Sequence, residues 1–258
     1  MWYPFKPKIM TWYRWRLNGG AAYLRKTGSK NWETGFSAAP LCARTDDCGG
    51  PEEAAPPDIP LTRVWGSGET AVLRPCLSGT PYLLKLAPRE SVKIAPEQEA
   101  AFTLLLPPAV RLETDGPFTL GEAMPLAPKQ TWFGPDTMSG HFCHLVTGGL
   151  APETAEAEPP APSCCIRGGL RVRNRSKTPF ALERFVLYPP PLSVYAKGGL
   201  LAADPVDIEF YGPDMDEKTI VRDLGDASYR LVSAGVKTGA GETFARQSMD
   251  IIKHITQF

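Results

Sequence analysis

The sequence has no excess of charge of either sign and no long apolar run. Its 258 residues carry 28 basic and 28 acidic side chains, so no net field draws the protein toward nucleic acid or anionic lipid. No stretch approaches the roughly 18 apolar residues of a membrane-spanning helix, and the first ten residues have no apolar core of signal-peptide length. We therefore expect a cytoplasmic protein without a membrane span, and the charge balance disfavours nucleic acid as a partner.

Complete cofactor and catalytic motifs are also missing. The six cysteines include no Cys-x-x-Cys pair, and there are only three histidines. Cysteines without an export signal favour thiols over a disulfide framework. No Gly-x-Ser-x-Gly elbow is present, and Gly66-Ser-Gly-Glu-Thr-Ala71 leads into Val72-Leu-Arg-Pro75 rather than into the helix that a dinucleotide-binding turn requires. The sequence therefore predicts no organic cofactor.

Alternating apolar and polar residues are the main pattern that is present. Residues 11–25 read as a hairpin around Asn18-Gly19, with Tyr13, Trp15 and Leu17 on one face. Similar short segments recur between the 27 prolines and 24 glycines, at the spacing typical of sandwiches. The pattern predicts an all-β protein, an antiparallel β-sandwich of immunoglobulin-like or jelly-roll-like type. The other predicted strands are 61–65, 70–74, 82–86, 92–94, 101–106, 110–112, 170–173, 180–188, 192–195 and 206–211.

The distribution of these segments predicts two packed strand sets. Residues 1–147 form an N-terminal β domain with a long surface loop at 36–60, and the Pro-rich stretch 148–163 is a linker or crossover. Residues 164–258 form a second β domain or the second half of one core. Apolar residues recur at helical spacing near the end, which predicts a short amphipathic helix at 243–256.

One segment carries a family resemblance. Residues 88–112 lead into Thr131-Trp-Phe-Gly134, Gly140 and Cys143. This order resembles an uncharacterised prokaryotic family known as domain of unknown function number four hundred and thirty-two, over about residues 61–190. His141 and His144 stand where the family pattern has an acid and a tyrosine. The resemblance implies an all-β protein and supplies no reaction.

The same segment holds the best candidates for a metal or catalytic site. On a strand, His141 and Cys143 share a face and could coordinate one zinc ion. Together with Asp136 and His144, they could instead serve a metal- or thiol-dependent hydrolase. The spacing matches no closed zinc pattern, and His144 would point away from Cys143. Candidates for a further ligand are Cys164, Cys165 and Asp136.

Two surfaces suggest binding without catalysis. Trp132 and Phe133 lie on a turn rich in glycine and proline and could contact a ligand or a peptide. Alternatively, they could be buried at the end of the core. Arg171, Arg173 and Arg175 form a basic stripe that is also typical of a solvated sheet face. We therefore predict a non-catalytic β-sandwich protein, monomer or dimer, that binds a protein or small ligand at a Trp132–His144 loop. Its predicted contact residues are Trp132, Phe133, Asp136, His141 and His144.

Overall fold

The computed structural model describes residues 3–17, 20–38, 50–77, 83–88, 91–116, 118–123, 129–133, 141–152, 165–182, 185–187, 192–198, 200–212, 215 and 217–235. These residues form strands and turns and no helix, so the predicted all-β class is confirmed. The strands are, in chain order, β1 (Trp12–Leu17), β2 (Gly20–Lys26), β3 (Asn31–Ala38), β4 (Glu52–Glu53), β5 (Leu61–Trp65), β6 (Ala71–Cys76), β7 (Leu83–Pro88), β8 (Val92–Ile94), β9 (Glu99–Leu106), β10 (Ala109–Thr114), β11 (Thr119–Ala123), β12 (Lys129–Phe133), β13 (His141–Pro152), β14 (Ile166–Asn174), β15 (Phe180–Leu182), β16 (Phe185–Leu187), β17 (Val194–Lys197), β18 (Leu200–Ala203), β19 (Val206–Phe210), β20 (Lys218–Val221) and β21 (Arg230–Ser233).

The described strands divide into two compact units that are interleaved along the chain. The first unit contains β1 to β6, β10 and β11, and the second contains β7 to β9 and β12 to β21. These units do not coincide with the successive stretches 1–147 and 164–258 that the sequence suggested. The chain enters the second unit after β6, returns for β10 and β11, and then leaves the first unit again.

The first unit is a sandwich of two antiparallel sheets. One sheet has the strand order β4-β1-β2-β3-β5, and the other has the order β11-β10-β6. Their facing sides share one apolar core, because period-2 alternation turns every second side chain of each strand inward. The core residues are Tyr13, Trp15, Ala22, Leu24, Trp32, Ala71, Leu73, Val110, Leu112 and Leu120.

A buried tryptophan and a buried lysine connect this core to the turn after β5. The indole nitrogen of Trp32 donates to Gly66 O at 3.0 Å. Lys26 is almost fully buried, and its Nζ donates to Gly68 O at 2.9 Å while lying 5.0 Å from the centroid of the Trp32 ring. The lysine cation is therefore stabilised by a carbonyl and an aromatic face, as a buried charge requires.

The connection 54–60 leads across the outer face of the five-stranded sheet, from β4 at one edge to β5 at the other. A Cβ atom at Gly35 would lie 3.0 Å from Ile59 Cδ1 and 3.2 Å from the carbonyl oxygen of Pro60. Gly35 belongs to the outer face, because the neighbouring Thr34 and Phe36 point to the core side. The missing side chain thus makes room for the crossing segment.

The second unit contains an eleven-stranded sheet and a two-stranded sheet of β8 and β15. The main path of the large sheet is β16-β7-β13-β9-β14-β18-β17-β21. Most pairs are antiparallel, but β7 pairs with β13, and β14 pairs with β18 and β19, in parallel. Parallel neighbours need crossover connections, so this part of the topology depends on contacts between distant segments.

Several sequence predictions fall only partly on the described residues. The expected surface loop at 36–60 overlaps the end of β3 and contains β4, and 39–49 lies outside the described residues. The expected linker at 148–163 overlaps the end of β13, and the predicted helix at 243–256 lies wholly outside the description. Within the described part of the chain, no helix has the length and apolar character needed to cross a membrane.

Candidate functional site

Both ends of the segment predicted as the Trp132–His144 loop lie in paired strands. Strand β12 pairs antiparallel with the beginning of β13, and Trp132 lies opposite Phe142. Phe133 lies opposite His141, and Thr131 lies opposite Cys143. Residues 132–133 and 141–144 are therefore in strands and not in a loop, although the glycine and proline residues of the connecting sequence favour a turn. The connection at 134–140, with Asp136, lies outside the described residues.

The first strand of the hairpin, β12, is an edge strand among the described strands and carries the partly exposed Trp132. Strand β13 pairs with β7 on one side and with β12 on the other, and further along it pairs with β9. Within the ranges that the structure describes, β12 pairs with β13 only. The Trp132 side chain is 37% exposed. An edge strand with a large aromatic side chain is a surface on which a partner can be recognised.

Cys143 lies beneath this surface in apolar surroundings. It is buried with Val186, and Leu83 packs against both residues. Burial raises the pKa of the Cys143 thiol to about 11, while the nearby Lys85 acts weakly in the opposite direction. The thiol is therefore protonated near neutral pH, whereas a catalytic cysteine needs a lowered pKa. Cys143 has the character of a core residue.

The side chains of His141 and His144, and the whole of Asp136, lie outside what the structure describes. His141 and His144 both lie in β13, opposite Phe133 and Gln130 of β12. Over the ranges that the structure describes, no three side chains of His, Cys, Asp or Glu lie together in a way that could hold a metal ion. The zinc hypothesis for His141 and Cys143 remains a prediction.

Acidic residues neutralise much of the predicted basic stripe. Arg173 contacts Glu99 at 2.6 Å, and Arg175 contacts Glu97 at 3.3 Å. Glu209 of β19 lies 3.9 and 3.6 Å from the two guanidinium groups. The hydrogen bond from Arg173 is the main cause of the lowered pKa of Glu99. These pairs leave little excess charge to neutralise a phosphate backbone, which is the main source of nucleic-acid affinity.

A hydrogen-bonded pair of the partly buried Tyr195 and the buried Asp204 in the second unit was not predicted from the sequence. Asp204 accepts hydrogen bonds from the Ser193 amide at 2.8 Å and from the Tyr195 hydroxyl at 2.9 Å. Desolvation, followed by the hydrogen bond to Asp204, raises the pKa of Tyr195. Both carboxylate oxygens are thus satisfied within the fold, as expected for a structural polar group.

Trp65 is the most exposed of the large apolar residues, and the sequence analysis gave it no functional role. It ends β5 in the first unit, and its side chain is 76% exposed. The alternation in Leu61-Thr-Arg-Val-Trp65 places Leu61, Arg63 and Trp65 on one face. Because Val64 packs against the core, the face that carries Trp65 points outward. The alternation of residues 61–65 could have indicated this exposure from the sequence.

The fold defines an all-β protein built on largely antiparallel sheets. Residues 61–228, more than half of the chain, match the family described as "Protein of unknown function (DUF432)", and the chain belongs to that family. The resemblance proposed from the Trp-Phe-Gly and Cys143 pattern is therefore confirmed. No curated protein matches the chain. No solved structure matches it either.

Proposed function

We propose that this protein is a non-catalytic binding protein that contacts a partner protein or a small ligand through the β12–β13 hairpin. The observation that carries the proposal is Trp132, a partly exposed aromatic residue on an edge strand. Aromatic side chains supply large contact areas and recur as the main energetic anchors of interfaces. Phe133, His141, His144 and Asp136 are the further contact residues in this proposal.

Two observations favour binding over chemistry at this place. The pKa of Cys143 is raised rather than lowered, which does not suit a nucleophile at neutral pH. The hairpin is part of a sheet, and a regular sheet is a rigid platform for recognition. The alternative, a metal- or thiol-dependent hydrolase using Asp136, His141, Cys143 and His144, has no comparable support among the described residues.

Affinity capture with a pair of tryptophan variants tests the proposal. Immobilised wild-type protein, Trp132→Ala and Trp65→Ala are exposed to the same native lysate, and the retained species are compared by mass spectrometry. We expect a species that the wild type and Trp65→Ala retain and that Trp132→Ala loses. Trp65→Ala is the matched control for this hairpin, because it removes an exposed indole in the other unit, and a species lost only in Trp65→Ala would not count for or against the Trp132 contact.

The melting temperature of Trp132→Ala distinguishes loss of contact from loss of fold. A partly exposed indole should change stability by less than the roughly 3–5 kcal/mol of a buried tryptophan. A loss of that size, or capture that persists in Trp132→Ala, would contradict the proposal. So would stoichiometric zinc in the purified protein that disappears in His141→Ala, because that result favours the metal-dependent alternative.

A further inference from the structure

We propose that the edge of β5 in the first unit pairs with an extended peptide segment of a partner protein. The peptide carries a carboxylate opposite Arg63 and apolar side chains opposite Leu61 and Trp65. This surface is separate from the β12–β13 hairpin, which belongs to the second unit. The proposal does not depend on the function proposed for Trp132.

The backbone of β5 offers an open edge. In the described part of the chain, β5 pairs with β3 and with no other strand. The amide of Gly66, directly after β5, donates to Lys30 O at 2.9 Å on the β3 side. Because amide directions alternate along a strand, the N–H groups of Arg63 and Trp65 point away from β3. They are therefore available to a strand that is added at this edge.

Strand β5 presents large apolar side chains that a partner strand could contact. Leu61 is 45% exposed and Trp65 is 76% exposed, and both belong to the outward face of the sheet. Exposed edges usually carry proline, lysine or a bulge that prevents pairing. Strand β5 has neither proline nor lysine, and its pairing with β3 is regular over all five residues, with no shift in register. Two large apolar side chains beside an open backbone edge favour β-strand addition.

The charge around Arg63 selects the chemistry of the partner. Arg63 has an 83% exposed side chain and lies 3.2 Å from Glu33, which also pairs with Arg25. These two arginines share one carboxylate, and the hydrogen bond from Arg25 is the main cause of the lowered pKa of Glu33. On the same face, Arg14 and Arg16 share Glu52. The strands of the outer face thus carry four arginines against two glutamates, an excess of positive charge that an acidic partner complements.

A second copy of the chain fits this edge less well. An antiparallel two-fold pairing centred on Arg63 would place Leu61 opposite Trp65 of the other copy, which is favourable. It would also place Arg63 opposite its own equivalent, and like charges directly opposite each other destabilise a strand pair. A carboxylate at that position removes the repulsion. The occupant that fits the edge is therefore an acidic strand of another protein.

Blocked synthetic peptides added to the full-length protein test the inference. The probe is Ile-Thr-Glu-Thr-Ile, in which isoleucine and glutamate share one face. The controls are Ile-Thr-Lys-Thr-Ile and a glutamate peptide whose backbone is N-methylated. Binding is followed by the backbone amide resonances of β5 in nitrogen–proton NMR spectra. Shifts at Arg63 and Trp65 would report strand addition, since their N–H groups face the edge.

We expect the glutamate peptide to bind about twofold to fivefold more tightly than the lysine peptide, in line with a single cross-strand charge pair. The N-methylated peptide should not bind, because it lacks the hydrogen-bond donors of a paired strand. Arg63→Gln should abolish the preference, and Arg63→Glu should reverse it. The variants are compared only after their folding has been confirmed. The inference would be overturned if the β5 amide resonances of the folded wild-type protein did not shift when the glutamate peptide is added. Shifts confined to β12, or concentration-dependent self-pairing of β5 without peptide, would also overturn it.

Discussion

The two faces of the five-stranded sheet use the same strands and are stabilised in different ways. The inner face buries Trp15, Leu24 and Trp32 against the three-stranded sheet. The outer face carries arginine–glutamate pairs such as Arg25–Glu33 and Arg16–Glu52. Burial of large apolar side chains contributes several kilocalories per mole each, whereas exposed ion pairs contribute little. The comparison indicates that the inner face contributes more to stability than the outer face, whose exposed β5 edge can serve recognition.

The largest expected effect of a single substitution is that of Trp32→Ala on the inner face. Removing this buried side chain should lower the free energy of unfolding by about 3–5 kcal/mol. The change also removes the hydrogen bond to Gly66 O and the aromatic face beneath Lys26. Urea unfolding followed by circular dichroism measures the loss. Trp65→Ala is the control and should change stability by less than about 1 kcal/mol. Equal losses in the two variants would contradict the division between the faces.

An intermediate effect is expected for Glu33→Gln on the outer face. Glu33 is the least exposed carboxylate of this face, and the substitution replaces the carboxylate that Arg25 and Arg63 share with a neutral amide. We expect a loss of about 1–3 kcal/mol at neutral pH, the range for hydrogen bonds to charged groups. Glu53→Gln, in an exposed pair with Lys8, is the matched control and should have little effect.

The same variant should change the dependence of stability on pH. The folded-state pKa of Glu33 is lowered, chiefly by the hydrogen bond from Arg25. Its stabilisation is therefore complete above the ordinary glutamate pKa and is lost as the pH falls through the lowered value. Unfolding free energies measured across the acidic range should fall less steeply for Glu33→Gln than for the wild type. Parallel curves would show that Glu33 has no such role.

The smallest expected effect is that of Arg16→Ala. Arg16 contacts Glu52 at 2.8 Å, but both side chains are well exposed and Arg14 also binds the carboxylate. The loss should stay below about 1 kcal/mol and should shrink further at high salt. Thermal unfolding at two salt concentrations checks both points. A loss comparable to that of Trp32→Ala would mean that the outer face is part of the stabilising structure.

The strands were predictable where local alternation is strong. The predicted bounds of β5 and β8 are correct, and the hairpin of β1 and β2 was predicted from its Asn-Gly turn. Tyr13, Trp15 and Leu17, which were predicted to share one face of the first strand, all contribute to the core side. Local rules were sufficient here because each strand of a sandwich buries one face.

Features that depend on distant residues could not be predicted. Leu83 and Val186, which pack against Cys143, come from separate strands, and the sequence pattern does not identify them as its neighbours. The neutralisation of Arg173 likewise requires Glu99 and Glu209. Periodicity assigns a residue to a face but does not identify what covers that face. For this reason the sequence singled out residues 132–144 as a candidate contact segment but did not predict that β12 and β13 pair there.

The interleaving of the two units has a consequence for how this family can be divided into parts. The family match begins at residue 61, the first residue of β5, and therefore omits β1 to β4. Those strands supply Trp15, Leu24 and Trp32, which cover the apolar side of β6, β10 and β11. A fragment trimmed to the shared segment would present that side to water. The boundary of the family match and the boundary of a piece that buries its own core are thus different places in this chain.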